Sequence, residues 1–84
     1  MPTAKNVLNE YKWRDDRDFN ALQVVYIHRG AKGDLKTVEG ADITTLGNSF
    51  FKTTTAEIPY HRIVQIRYKQ NTIWKRTNNN ANKN

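Results

Sequence analysis

The chain has 84 residues and a net charge of +6, enough for one small domain that buries only about 60% of the surface its unfolded form exposes. It contains no cysteine, which excludes a disulfide framework, a thiolate zinc site and a thiol nucleophile. Residues 1–57 hold eight Lys/Arg and all eight acids, whereas residues 58–84 hold six basic residues and no acid, so the whole excess charge sits on the last third.

The segment before residue 7 has no apolar run of signal-peptide length, and no later stretch is long enough to span a bilayer. A cytoplasmic or nuclear location without a membrane partner is therefore expected. Thr3 is suited to cap a first helix. Ala4, Val7, Leu8 and Tyr11 follow at the spacing of one apolar helical stripe, and Trp13 is expected to end the helix against the core. The run from Arg14 to Asp18 is too charged to continue an apolar face, while Phe19 and Leu22 are expected to anchor the connection.

Residues 23–29 form the strongest strand pattern, β-branched, aromatic and apolar on both faces, which predicts a central strand. Gly30 and Gly33 mark a loop able to take positive φ. Leu35 to Glu39 predicts a short strand broken by Gly40, and Gly47-Asn48 predicts a tight hairpin between residues 43–46 and 49–53. Pro59 holds Ile58 extended. Residues 63–69 alternate, placing Val64, Ile66 and Tyr68 on one face, and Ile63, Gln65, Arg67 and Lys69 on the other. Gln70-Asn71-Thr72 is expected to turn the chain into a last strand through Ile73, Trp74, Lys75 and Arg76. The fold class expected is α+β, with one N-terminal helix packed on a small, mainly antiparallel sheet of about five strands. Residues 1–76 make the domain, and 77–84 read as a disordered, Asn-rich tail.

The charge asymmetry points to a polyanionic partner, nucleic acid before membrane, because no amphipathic helix accompanies the basic stretch. The plainer reading is a basic surface that serves solubility. Both histidines precede an arginine: His28-Arg29 leaves the central strand, and His61-Arg62 enters the basic one. If those strands are neighbours, two imidazoles, two guanidinium forks and the backbone N–H groups of Gly30 and Gly33 share one rim. The planar arginine fork bonds two phosphate oxygens at once, and glycine lets backbone donors approach an anion closely. A histidine at a strand end is more often a cap on a carbonyl. Arg67 and Lys69, with Lys75 and Arg76, are candidates to follow a phosphate backbone. Tyr60, between Pro59 and His61, is the best candidate for an exposed base-stacking platform, and Trp74 is next, although most aromatics in so small a domain belong to the core. Phosphate-binding P-loops, nucleophile elbows and metal-type clusters are absent from the sequence, so neither a metal nor a cofactor is expected.

Leu8, Lys12-Trp13, Asp18-Phe19, residues 25–30 (VYIHRG), Phe50-Phe51, residues 58–63 (IPYHRI) and Trp74 together resemble the RNA cyclic group end recognition domain family. The likeness covers about residues 4–76. It implies an RNA-binding module that recognises RNA 3′ ends, a 2′,3′-cyclic phosphate or a related phosphorylated terminus, in RNA processing or repair, with RNA-processing or RNA-repair enzymes as further partners. Carried over residue by residue, the implied ligand contacts are His28, Arg29, His61 and Arg62, with Lys12 added from the helix end, while Trp13, Pro59 and Trp74 are implied to be structural. The alternatives are a small cyclic phosphodiesterase or ribonuclease using His28 and His61 as acid and base, and a protein-interaction module whose basic strand meets an acidic partner. Strand order and oligomeric state are left open by the sequence.

Overall fold

A computed structural model describes residues 3–76. The expected tail, residues 77–84, lies outside the described residues. The helix α1 spans Ala4–Trp13, and the Thr3 hydroxyl accepts from the Asn6 backbone N–H at 3.1 Å, which satisfies one orphan donor of the first turn. Seven strands follow: β1 (Leu22–Ile27), β2 (Leu35–Glu39), β3 (Ile43–Leu46), β4 (Phe50–Thr53), β5 (Glu57–Pro59), β6 (Ile63–Tyr68) and β7 (Asn71–Lys75).

All pairings are antiparallel, in a four-stranded sheet of order β2-β1-β6-β7 and a three-stranded sheet of order β3-β4-β5. The expected single sheet of about five strands is thus corrected to seven strands in two sheets. Residues 57–59 add a strand that periodicity cannot reveal, because Pro59 shortens it to three residues, too few to alternate. The β3–β4 hairpin closes where Gly47-Asn48 predicts it, the Gly47 N–H donating to the Phe50 carbonyl at 2.9 Å.

One core joins the layers. Leu8 of α1, Leu22 and Val24 of β1, Ile63 and Ile66 of β6, and Phe51 of β4 are fully buried. Each such side chain contributes about 1.5–3 kcal/mol by leaving water. Short 3-10 turns join the strands, and two of them press together at Gly40, where an added Cβ would collide with the Phe19 carbonyl.

Three local expectations change. Trp13 does not end the helix against the core; it is 80% exposed, because α1 presents Val7 and Leu8 inward and the chain turns away at Arg14. Ile63 does not share the outer face with Gln65 and Arg67. A bulge at Val64 pairs Val25 with Gln65 but Tyr26 with Ile63, and the extra residue resets the alternation so that Ile63 is buried. The last turn is Lys69-Gln70, one residue earlier than expected. Tyr68 pairs with Asn71, and both turn residues have positive φ, 50° and 73°, the twist that a two-residue hairpin requires.

A cationic rim on the four-stranded sheet

The register of β1 against β6 decides what meets at the sheet's end. Tyr26 opposite Ile63 is the last pair, so His28-Arg29 continues just beyond β1 and His61-Arg62 lies just before β6, at the same end. Antiparallel pairing of β6 with β7, Gln65 opposite Lys75, brings Lys75 and Arg76 to that end as well. Lys36 of β2, opposite Tyr26, also borders it. Sequence reading passed over Lys36, because only the register of the edge strand shows where it lies.

The loop after β1 is closed by its own backbone. The His28 N–H donates to the Asp34 carbonyl at 2.8 Å, and the Ala31 N–H donates to the His28 carbonyl at 3.1 Å. Gly30 and Gly33 take φ of 92° and 69° there. His28 is half-buried, edge-on to Tyr26 with ring centroids 6.2 Å apart, whereas Arg29, His61 and Arg62 are exposed. Among the described residues, Arg29, Arg62, Arg67 and Lys75 enter no salt bridge. Their charges are therefore free to meet an anion from solution.

Arg76 has a different place from the one its charge suggested. Its Nε donates to the Ile63 carbonyl and its Nη2 to the His61 carbonyl, each at 2.9 Å, and its backbone N–H donates to the Val64 carbonyl, also at 2.9 Å. The guanidinium also lies 5.6 Å from the Trp74 ring centroid. It clamps the turn that carries His61 and Arg62 onto the bulge. Separations of 13 and 15 residues from Ile63 and His61 left no local signal to read.

Tyr60 is corrected from exposed platform to core residue. It is 9% exposed, lies 5.7 Å from the Phe51 ring, and its hydroxyl donates to the Gly47 carbonyl at 2.8 Å. Desolvation pushes that hydroxyl's pKa above its usual value. The Pro59 turn directs Tyr60 inward while its neighbour His61 faces solvent.

Lys12 is not brought to this end, and neither are Arg67 and Lys69, which lie toward the other end of β6. The Lys12 Nζ lies 5.3 Å over the Phe19 ring, and Phe19 precedes β1 whereas His28 follows it. Arg67 is exposed on the sheet's outer face, opposite Gln23 and Thr72, and Lys75 joins that face as the partner of Gln65. Lys69 is separated from them in the turn at the far end of β6, its Nζ 5.4 Å from the Tyr68 ring. Among the described residues no group of three or more His, Cys, Asp or Glu is placed to hold a metal, and no helix is long and apolar enough to cross a membrane.

These features define a small antiparallel α+β domain with a cationic sheet end. Comparison with known proteins makes the assignment specific: residues 1–76 match the family model described as the MJ1316 RNA cyclic group end recognition domain, and the chain belongs to that family. It is similar to a UPF0248 protein of Archaeoglobus fulgidus, 37% identical over 70 residues, covering 82% of this chain and 99% of the relative. A UPF0248 protein of Thermococcus onnurineus is 34% identical over 74 residues, covering 87% and 84%. The UPF0248 protein MJ1316 of Methanocaldococcus jannaschii is 36% identical over 66 residues, covering 79% and 81%. No solved structure matches the chain significantly.

Proposed function

We propose that the sheet rim binds the phosphorylated 3′ end of an RNA, a 2′,3′-cyclic phosphate or a related terminus, as a non-catalytic module in RNA processing or repair. The observation that carries the reading is the β1–β6 register, which sets both His-Arg pairs at one end of one sheet. The family description, which names recognition of RNA cyclic group ends, supports the choice of ligand. Arg29 and Arg62 supply exposed guanidinium forks, and the loop at Gly30 brings backbone to the same place. His28 and His61 add ring N–H donors that read the terminal oxygens. The strand of RNA leading to that end runs along the outer face past Lys75 and Arg67, with Lys69 beyond them. Arg76 acts by holding the carbonyl of His61 and so fixing the turn. Tyr60 takes no part in stacking, because its ring is in the core.

Fluorescence anisotropy tests this with one short RNA carrying a 3′-hydroxyl, a 3′-phosphate or a 2′,3′-cyclic phosphate, recovered afterwards for analysis. Tighter binding to a phosphorylated end, intact RNA, and loss of that preference in Arg62→Ala are expected. Equal affinity for the three ends removes the end-reading claim and leaves a general basic surface. Converted RNA, with turnover lost in His28→Ala or His61→Ala, replaces the module with an enzyme.

A further inference from the structure

One aromatic ring near the rim has no part in the core. Phe50 begins β4, and its neighbour Phe51 is fully buried. Alternation therefore turns Phe50 outward, where it is 46% exposed. Its cross-strand partner is Pro59, half-buried on the same face, and the two make one apolar step at the end of β4 and β5. Among the described residues Phe50 enters no ring pair and no cation–π contact.

The backbone holds this step next to the second His-Arg pair. The Tyr60 N–H donates to the Ser49 carbonyl at 3.2 Å, and the Tyr60 hydroxyl donates to the Gly47 carbonyl at 2.8 Å. The β3–β4 turn is thus stapled to the residue before His61. Because Phe50 pairs with Pro59, its Cα lies no more than about 13 Å from that of His61. The turn Tyr60–Arg62 joins β5 of the small sheet to β6 of the large one. His61 and Arg62, both exposed, therefore have the sheet rim on one side and the Phe50 step on the other. Glu57, the acid of β4 and β5, is tied to Lys52 at 3.4 Å, so these strands present no unpaired carboxylate to an approaching anion.

We infer that Phe50 is the platform on which the last base of the RNA end stacks, with Pro59 extending it. The inference rests on the end-binding reading and adds to it the place of the base. An exposed ring within reach of guanidinium and imidazole donors suits a ligand that carries a π face one sugar away from its phosphate, as a nucleotide does. An apolar peptide side chain would use the ring and leave Arg62 without an anion. With the terminal phosphate at the rim, the base splays to the Phe50 side, and the rest of the strand follows Lys75 and Arg67 on the other. Phenylalanine carries no side-chain donor or acceptor, so the stack accepts any base, and recognition stays with the chemistry of the end.

The test uses the full chain and a short RNA ending in a 3′-phosphate, either intact or with an abasic residue at the last position. Fluorescence anisotropy should show the intact RNA binding at least about fivefold more tightly, the gain expected of one stacked base. Phe50→Ala should remove that gain and leave affinity for the abasic RNA unchanged. Phe50→Tyr should retain the gain. Phe50→Leu keeps most of the apolar volume without the ring, so it should lose most of the gain even if Phe50→Ala folds poorly. Equal affinity of the wild type for the two RNAs overturns the proposal, as does wild-type affinity for the intact RNA in both Phe50→Ala and Phe50→Leu. An equal loss on both RNAs overturns it too. The preference for a phosphorylated over a 3′-hydroxyl end should survive in Phe50→Ala. Its absence from the wild type removes the end-binding reading, whereas its presence beside an unaffected Phe50→Ala removes only the platform.

Discussion

Arg76→Ala removes the clamp that joins the end of β7 to the start of β6. The wild-type guanidinium makes two hydrogen bonds of 2.9 Å to the carbonyls of His61 and Ile63 and lies over Trp74. Hydrogen bonds from a charged donor contribute about 1.5–3 kcal/mol each, but Arg76 is solvent-exposed, which reduces each to about 1 kcal/mol. The exposed cation–π contact adds about 0.5 kcal/mol. Losing all three costs about 2.5 kcal/mol, which for a domain of this size lowers the melting temperature by about 10–20 °C. Arg76→Lys should recover less than half of that loss, because an ammonium on a flexible stem cannot hold two carbonyls in a fixed fork. Thermal melting by circular dichroism measures both variants. A drop in Arg76→Ala of less than about 3 °C, or a wild-type melting temperature in Arg76→Lys, would refute the clamp. Raised salt should leave most of the difference in place, since the bonds are short and directed at neutral carbonyls.

Tyr60→Phe should lower stability by about 1 kcal/mol, by leaving the Gly47 carbonyl without its partner, while RNA affinity stays unchanged; a large loss of affinity would return Tyr60 to the binding site. Because desolvation raises the Tyr60 pKa in the folded state, its contribution is present below the ordinary tyrosine range near 10 and is lost as pH rises through the raised value. Urea midpoints on the alkaline side should therefore fall less steeply in Tyr60→Phe than in the wild type. Gly40→Ala should be far more damaging than Gly30→Ala: the first drives a methyl into the Phe19 carbonyl, while the second meets no atom within 4 Å and costs only the strain of φ 92°, about 1–2 kcal/mol. Similar melting temperatures for the two would count against the close packing of those turns. If Arg29, Arg62, Arg67 and Lys75 each neutralise one phosphate, the slope of log affinity against log salt should lie near −3, from about −0.7 per phosphate on a single strand. A slope near zero would remove the RNA path across the outer face.

The amino-acid sequence determined what depends on neighbours in the chain. The cap at Thr3, the inward stripe of Ala4, Val7 and Leu8, the central strand around Val24 and Val25, and the Gly47-Asn48 hairpin all follow from local spacing and turn chemistry. So do the two His-Arg pairs as candidates, because imidazole and guanidinium groups are residue types able to meet an anion. Tertiary structure decided whether those candidates meet, since only the β1–β6 register aligns Tyr26 with Ile63 and gathers both pairs at one end. It also decided which aromatics face water. Tyr60 turned inward because a hydroxyl and a ring, once folded, found Gly47 and Phe51, and Trp13 stayed outside because Val7 and Leu8 already fill the helix's buried face. The bulge at Val64 reversed Ile63 for the same reason. Burial of a whole side chain outweighs the regularity of a strand, and an alternating pattern carries no trace of the residue at which the chain slips by one.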